Sequence, residues 1–225
     1  MSQFDVITFD CYGTLIDWET GIRNAFRKAL AKTHGSANLA EKALELYPEE
    51  EATVEAETPH QLYRQVLSNT ALAVARKIGW DLKGSDPSFL AKDLPSWKPF
   101  QDTNPALEQL VKTHTLGILS NTDNDLLAGT LKHLRARFDI LVTAENVRSY
   151  KPGPRHFEEA RRRIGHRPWL HVAASQFHDI EPANKLNIKA AWINRKNATR
   201  TREYPADEVW IFKDLLELAD WLDRR

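Results

Sequence analysis

Asp5-Val6-Ile7-Thr8-Phe9 runs directly into Asp10-Cys11-Tyr12-Gly13-Thr14, and the fold is decided at that junction. The first five residues form a short apolar run of the kind that parallel sheets bury on both faces. The next five are polar and turn-forming. The same kind of run recurs at Thr115-Leu116-Gly117-Ile118-Leu119, Ile140-Leu141-Val142, Leu170-His171-Val172-Ala173 and Ala190-Ala191-Trp192-Ile193, with a sixth at Val209-Trp210-Ile211-Phe212. The segments 104–113, 123–135, 154–165, 179–187 and 213–223 each have room for two or more helical turns. Strands alternating with helices imply right-handed crossovers and an α/β fold, a doubly wound parallel sheet.

About a hundred residues separate the first run from the second, and the stretch from about 18 to 100 holds no convincing strand. Ile22, Phe26 and Leu30 recur as one helix face would, and Leu62, Val66, Leu67 and Val74 do the same. Thr58-Pro59 predicts a helix start, Gly79 a stop, and Pro48-Glu49-Glu50-Glu51 a solvated helix start. The expected organisation is therefore an α/β core of residues 1–17 and 100–225. A helical cap, residues 18–99, is inserted after the first strand.

Composition narrows the function. The 225 residues carry 31 Lys+Arg against 31 Asp+Glu, a formal charge of zero that lowers the odds of a nucleic-acid or membrane-surface protein. Cys11 is the one cysteine, so an intramolecular disulfide and a Cys-rich zinc site are both ruled out. The N-terminus lacks the apolar region of a signal peptide, and no run approaches the roughly 18 apolar residues of a membrane span. The expectation is a cytoplasmic protein. A G-x-S-x-G elbow, a P-loop and a dinucleotide fingerprint are all missing.

In open α/β sheets ligands sit beyond the carboxyl ends of the strands. Four polar clusters fall there: Asp10 to Thr14, Ser120-Asn121-Thr122-Asp123, Ser149-Tyr150-Lys151-Pro152, and Ala174-Ser175-Gln176-Phe177-His178-Asp179. Taken singly, each residue has a bland reading as a helix cap or turn former. Together they supply a carboxylate on a Gly-containing loop, a lysine able to keep it ionised, and a second carboxylate able to take a proton from water. Ser120 and Asn121 add a hydroxyl and an amide for an anionic substrate. An aspartate nucleophile would form an ester that water then cleaves.

Asp10-x-Tyr12-Gly13-Thr14-Leu15, Ser120-Asn121, Lys151-Pro152 and the Asp179 segment, in this order and spacing, resemble the haloacid dehalogenase superfamily. The resemblance covers the whole core, and the insert has the position of the superfamily's helical cap. Most members are phosphatases, which carry a second Asp two residues after the nucleophile and bind Mg²⁺ through an Asp-x-x-x-Asp pair. Here those positions are Tyr12 and Ser175. Both departures make the pattern similar to the metal-independent (S)-2-haloacid dehalogenases, since a halide leaves without a proton.

The resemblance implies that Asp10 displaces halide from C2 of a small 2-haloalkanoic acid and that water frees a 2-hydroxy acid, with no cofactor. It casts Thr14, Lys151 and Asp179 as the other catalytic residues. Cys11 and Tyr12 (through backbone N–H groups), Trp18, Ser120, Asn121, Ser175 and Gln176 become substrate contacts. Relatives often pair through the cap, which extends to a homodimer here. Three departures separate this chain from better-known dehalogenases. No Arg lies between Ser36 and Pro59, Phe157 stands where they have Tyr, and Ala174-Ser175-Gln176 replaces Ser-Ser-Asn. Trp18, Tyr12, Tyr47 and Tyr63 are the candidates to complete the halide pocket. Three alternatives stay open: a Mg²⁺-dependent phosphatase, a hydrolase of a strained ring such as azetidine-2-carboxylate, and an idle binding module.

Overall fold

A computed structural model of the chain describes residues 3–33, 36, 38–82, 86–205 and 207–224. In chain order its elements are β1 (Val6–Phe9), α1 (Trp18–Lys32), α2 (Leu39–Glu55), α3 (Tyr63–Ile78), α4 (Phe89–Asp93), α5 (Thr103–Leu110), β2 (Thr115–Ser120), α6 (Asn124–Leu131) and β3 (Ile140–Thr143). Then come α7 (Ala144–Val147), α8 (Arg155–Ile164), β4 (Trp169–Ala173), α9 (Glu181–Lys185), β5 (Lys189–Ile193), β6 (Val209–Phe212) and α10 (Leu215–Asp223). All six apolar runs are strands. They form one parallel sheet in the order β3-β2-β1-β4-β5-β6. The order reverses beside β1, so the residues after β1, β2 and β4 emerge next to one another at the switch point.

Two compact units are present. One comprises Met1–Asp17, Pro99–Asn121 and Lys132–Arg225; the other comprises Trp18–Lys98 and Thr122–Leu131. The first holds the sheet. Its core includes Leu119, Val142, Phe157, Ala173, Ile180 and Trp192, drawn from one face of the sheet and the helical segments packed on it. The second is helical, and it includes α6, a segment that the sequence alone assigns to the core. Gly21 on α1 lets the Trp97 ring approach so closely that a Cβ would lie 2.4 Å from it.

Two local expectations fail in the helical unit. Thr58-Pro59 does not open a helix; α3 begins at Tyr63. The donors at its N-terminus are met by Asp123, which accepts from Tyr63 N (2.7 Å) and Arg64 N (3.0 Å), and by Gln65, which accepts from Leu62 N at 3.3 Å. A carboxylate at a helix N-terminus also opposes the helix dipole favourably. Pro48 to Glu51 lie inside α2 rather than at its start. Pro48 forgoes one backbone hydrogen bond, but the helix continues because Ala43, Tyr47, Glu50 and Val54 are buried along one face. Glu50 pairs with Lys77. Among the described residues no helix is long and apolar enough to cross a membrane.

Candidate active site

The chain after β1 turns sharply. Leu15 N and Ile16 N both donate to the Cys11 carbonyl, at 2.8 and 3.0 Å, and Gly13 N donates to Ile16 O at 2.8 Å. Gly13 has φ of 100°, a backbone conformation that side chains disfavour. The turn brings Thr14 back over Asp10, where its hydroxyl donates to Asp10 Oδ2 at 2.8 Å. The same Thr14 oxygen accepts from Ala174 N (2.9 Å), which ties the loops after β1 and β4. Cys11 is fully buried, and burial pushes its thiol well up, so the thiolate is disfavoured there.

Lys151 is the hub. Its ammonium is buried and has three protons, and all three are used: on Asp10 Oδ1 (2.9 Å), Asp179 Oδ1 (2.6 Å) and the Leu119 carbonyl (2.9 Å). Burial opposes the charge, but the two carboxylates outweigh it and raise the Lys151 pKa. Burial would likewise raise Asp179; Lys151 and a hydrogen bond from His171 overcome it and hold that carboxyl well below its ordinary range. Asp10 is left with the unmatched share. Burial, helped by the Asp179 charge, raises it against the pull of Lys151 and Thr14.

The other sequence-derived residues divide. Ser120 closes β2, fully buried, and its hydroxyl has no hydrogen-bond partner. Asn121 donates to the Lys151 carbonyl at 3.1 Å and accepts from Lys151 N at 2.7 Å, so its amide orients the lysine backbone. Ser175 accepts from His178 N at 3.1 Å as the cap of a single π-helical turn, Gln176–Ile180, that carries Asp179. Gln176 is spent on the loop after β5, donating to Thr199 O at 3.1 Å and accepting from Thr201 N at 2.9 Å. Tyr12 is half-buried and forms a bridge with Ile16 in the loop after β1. Trp18 opens α1 in the helical unit, its ring 6.0 Å from Tyr47, while Tyr47 and Tyr63 both donate to Glu51 Oε1, at 2.8 and 2.5 Å. Phe157 is fully buried, edge-on to His171 at 5.1 Å.

Two contributors escape sequence reasoning. His171, inside β4, reaches Asp179 Oδ1 from below. Arg195, just after β5, donates to the Thr14 carbonyl (2.9 Å), forks onto both Asp102 oxygens (2.9 and 3.0 Å) and lies 4.0 Å over the Phe100 ring. Neither belongs to one of the four polar clusters. The only sequence signal for His171 was an ionisable residue in an otherwise apolar strand.

Asp179 Oδ1 serves both Lys151 and His171, and the Lys151 ammonium bonds to both carboxylates. Among the described residues no three His, Cys, Asp or Glu side chains gather as a metal site.

This geometry agrees with what the chain is similar to. Residues 4–174 match the haloacid dehalogenase-like hydrolase family. The chain belongs to that family. A Pseudomonas putida (S)-2-haloacid dehalogenase is 28% identical over 128 residues, 55% of this chain and 56% of that enzyme. The match thus spans little more than half the length of that relative. A defluorinating L-2-haloacid dehalogenase superposes with a TM-score of 0.81 at 22% identity, covering 98% of this chain and 95% of the other. The Xanthobacter autotrophicus L-2-haloacid dehalogenase with chloropropionic acid covalently bound gives 0.76 at 19% identity, with 98% of each chain covered. At these identities the structural likenesses establish the dehalogenase-like hydrolase fold alone.

Proposed function

We propose that the protein is a metal-independent hydrolase that displaces halide from C2 of a small 2-haloalkanoic acid. An Asp10 carboxylate oxygen attacks C2 and the carbon–halogen bond breaks. The halide leaves with the electron pair and C2 inverts. Water then adds to the Asp10 side-chain carbonyl carbon. One water proton passes to Asp179 and on to solvent; the ester bond breaks and the other water proton goes to its oxygen, which leaves as the hydroxyl of the 2-hydroxy acid. Asp10 is regenerated. Ser120 Oγ and the backbone N–H groups of Cys11 and Tyr12 hold the substrate carboxylate. Asn121 holds Lys151 in place.

The observation that carries this reading is the Asp10–Lys151–Asp179 arrangement combined with Tyr12 at the position of the phosphatases' acid. A leaving halide needs no proton, so the nucleophile requires no acid partner. Asp179 Oδ2, buried and without a hydrogen-bond partner, is available to a water. The similarity to (S)-2-haloacid dehalogenases supports the substrate class.

The test is halide release from chloroacetate and from each enantiomer of 2-chloropropionate in EDTA, with Asp10→Asn alongside. Release that persists in EDTA and vanishes in the variant is the expected result. No halide, with Mg²⁺-dependent phosphate release from a phosphate ester, would overturn it.

A further inference from the structure

β1 and β4 pair in parallel, which sets Thr8 opposite His171. Both side chains lie wholly inside the sheet unit. Thr8 Oγ1 accepts from Trp169 Nε1 at 2.7 Å and lies 2.9 Å from His171 Nδ1. A hydroxyl has one proton to give. Trp169 takes one of the two lone pairs on the Thr8 oxygen, so Thr8 alone does not set the His171 tautomer, and the partner of the other ring nitrogen decides it. Nε2 faces Asp179 Oδ1 at 3.1 Å and donates to it. The opposite tautomer would aim a ring lone pair at a carboxylate oxygen. Trp169, Thr8 and His171 therefore form a directed chain that ends on Asp179.

Asp179 Oδ1 thus has two anchors, Lys151 and His171, while Oδ2 has none. The anchors differ in one respect. Lys151 also holds Asp10, whose charge disappears when the ester forms, so its balance between the two carboxylates changes during turnover. His171 is fixed to the strands and meets the same partner throughout.

We propose that His171 is a positioning residue for Asp179, holding Oδ1 so that Oδ2 stays aimed at the water that cleaves the Asp10 ester. This rests on the two-step reading above and assigns His171 to the second step alone.

Single-turnover mass spectrometry of quenched protein, with 2-chloropropionate, gives the rates at which the Asp10 ester forms and disappears. In His171→Leu, ester loss should slow by about tenfold to a hundredfold, the range for losing a hydrogen bond to a buried charge. Ester formation should stay within about threefold of wild type. His171→Gln keeps an N–H donor near the same place and should recover most of the rate. Thr8→Val, a near-isosteric change that removes the Nδ1 partner, should show a smaller slowing of the same step and serves if the leucine variant does not fold. Equal slowing of both steps, unchanged ester loss in a folded His171→Leu or Thr8→Val protein, or no recovery in His171→Gln would overturn the inference. Wild-type protein that forms no ester at all would instead overturn the two-step reading itself, and this assignment with it.

Discussion

Acid should destabilise this fold through a histidine that takes no part in the chemistry. His156 lies on α8 with its ring fully buried beneath Ser120. Nε2 donates to the Ser120 carbonyl at 3.2 Å, and Nδ1 has no partner. Burial, reinforced by the nearby Lys151 charge, lowers its pKa from 6.5 to about 3. The sign follows from proton counting. Between these two values the unfolded chain binds a proton that the folded one refuses. The stabilisation is whole above pH 6.5 and is lost as pH falls through that value, at about 1.4 kcal/mol per pH unit. From pH 7.5 to pH 5 the loss is about 2 kcal/mol. His156→Gln retains a donor toward Ser120 O and removes the titration. Urea unfolding of both proteins at several pH values across that range isolates the effect, because every other titrating group is shared. The stability difference should move toward the variant by about 2 kcal/mol on acidification. Parallel pH dependences would refute the reasoning, since they would mean that the imidazole is protonated in the folded state or reached by water.

Two further outcomes concern the charged hub. Lys151→Met leaves two buried carboxylates without their cation; it should cost about 3–5 kcal/mol in unfolding free energy and eliminate halide release, and a fully active, equally stable variant would contradict the assigned geometry. Because Asp10 is raised by burial and by the Asp179 charge, its reactive anion is lost as pH falls through a value above the ordinary 3.8, so the acid limb of ester formation should lie above that pH. A limb at or below 3.8 in single-turnover rates would remove the basis for the unmatched charge.

The strands were legible because each is a short continuous apolar run, and burial on both faces leaves few other readings for such a run. The clustering of Asp10 and Asp179 followed from topology, since β1 and β4 are neighbours at the switch point, and Lys151, beyond β3, is tied in by Asn121 at the end of the neighbouring β2. The start of α3 was not legible. Thr58-Pro59 has the local chemistry of a cap, but the carboxylate that serves the helix belongs to Asp123, about sixty residues away. No local pattern encodes a partner at that distance. The backbone partners of Asn121 and Gln176 were not legible for a related reason. Residue type says that an amide will bond to something polar, and proximity to a site suggests a substrate. Here the backbones of Lys151, Thr199 and Thr201 take those groups first.

Charge at the hub also suggests how the proposed reaction is divided. Two carboxylates share one ammonium whose three protons are all committed, so the resting site holds one negative charge more than it balances. Attack on C2 makes Asp10 a neutral ester and releases that charge as halide. Lys151 then faces Asp179 alone, a one-to-one pair. Among these three groups, with the substrate carboxylate left to Ser120 and the backbone N–H groups, the ester is the matched state, and its hydrolysis must restore the unmatched charge on a buried oxygen. On these grounds the second step carries the greater demand on positioning. It is at that step that the fold supplies Asp179 with two donors on one oxygen, one of them tied through Thr8 to the centre of the sheet.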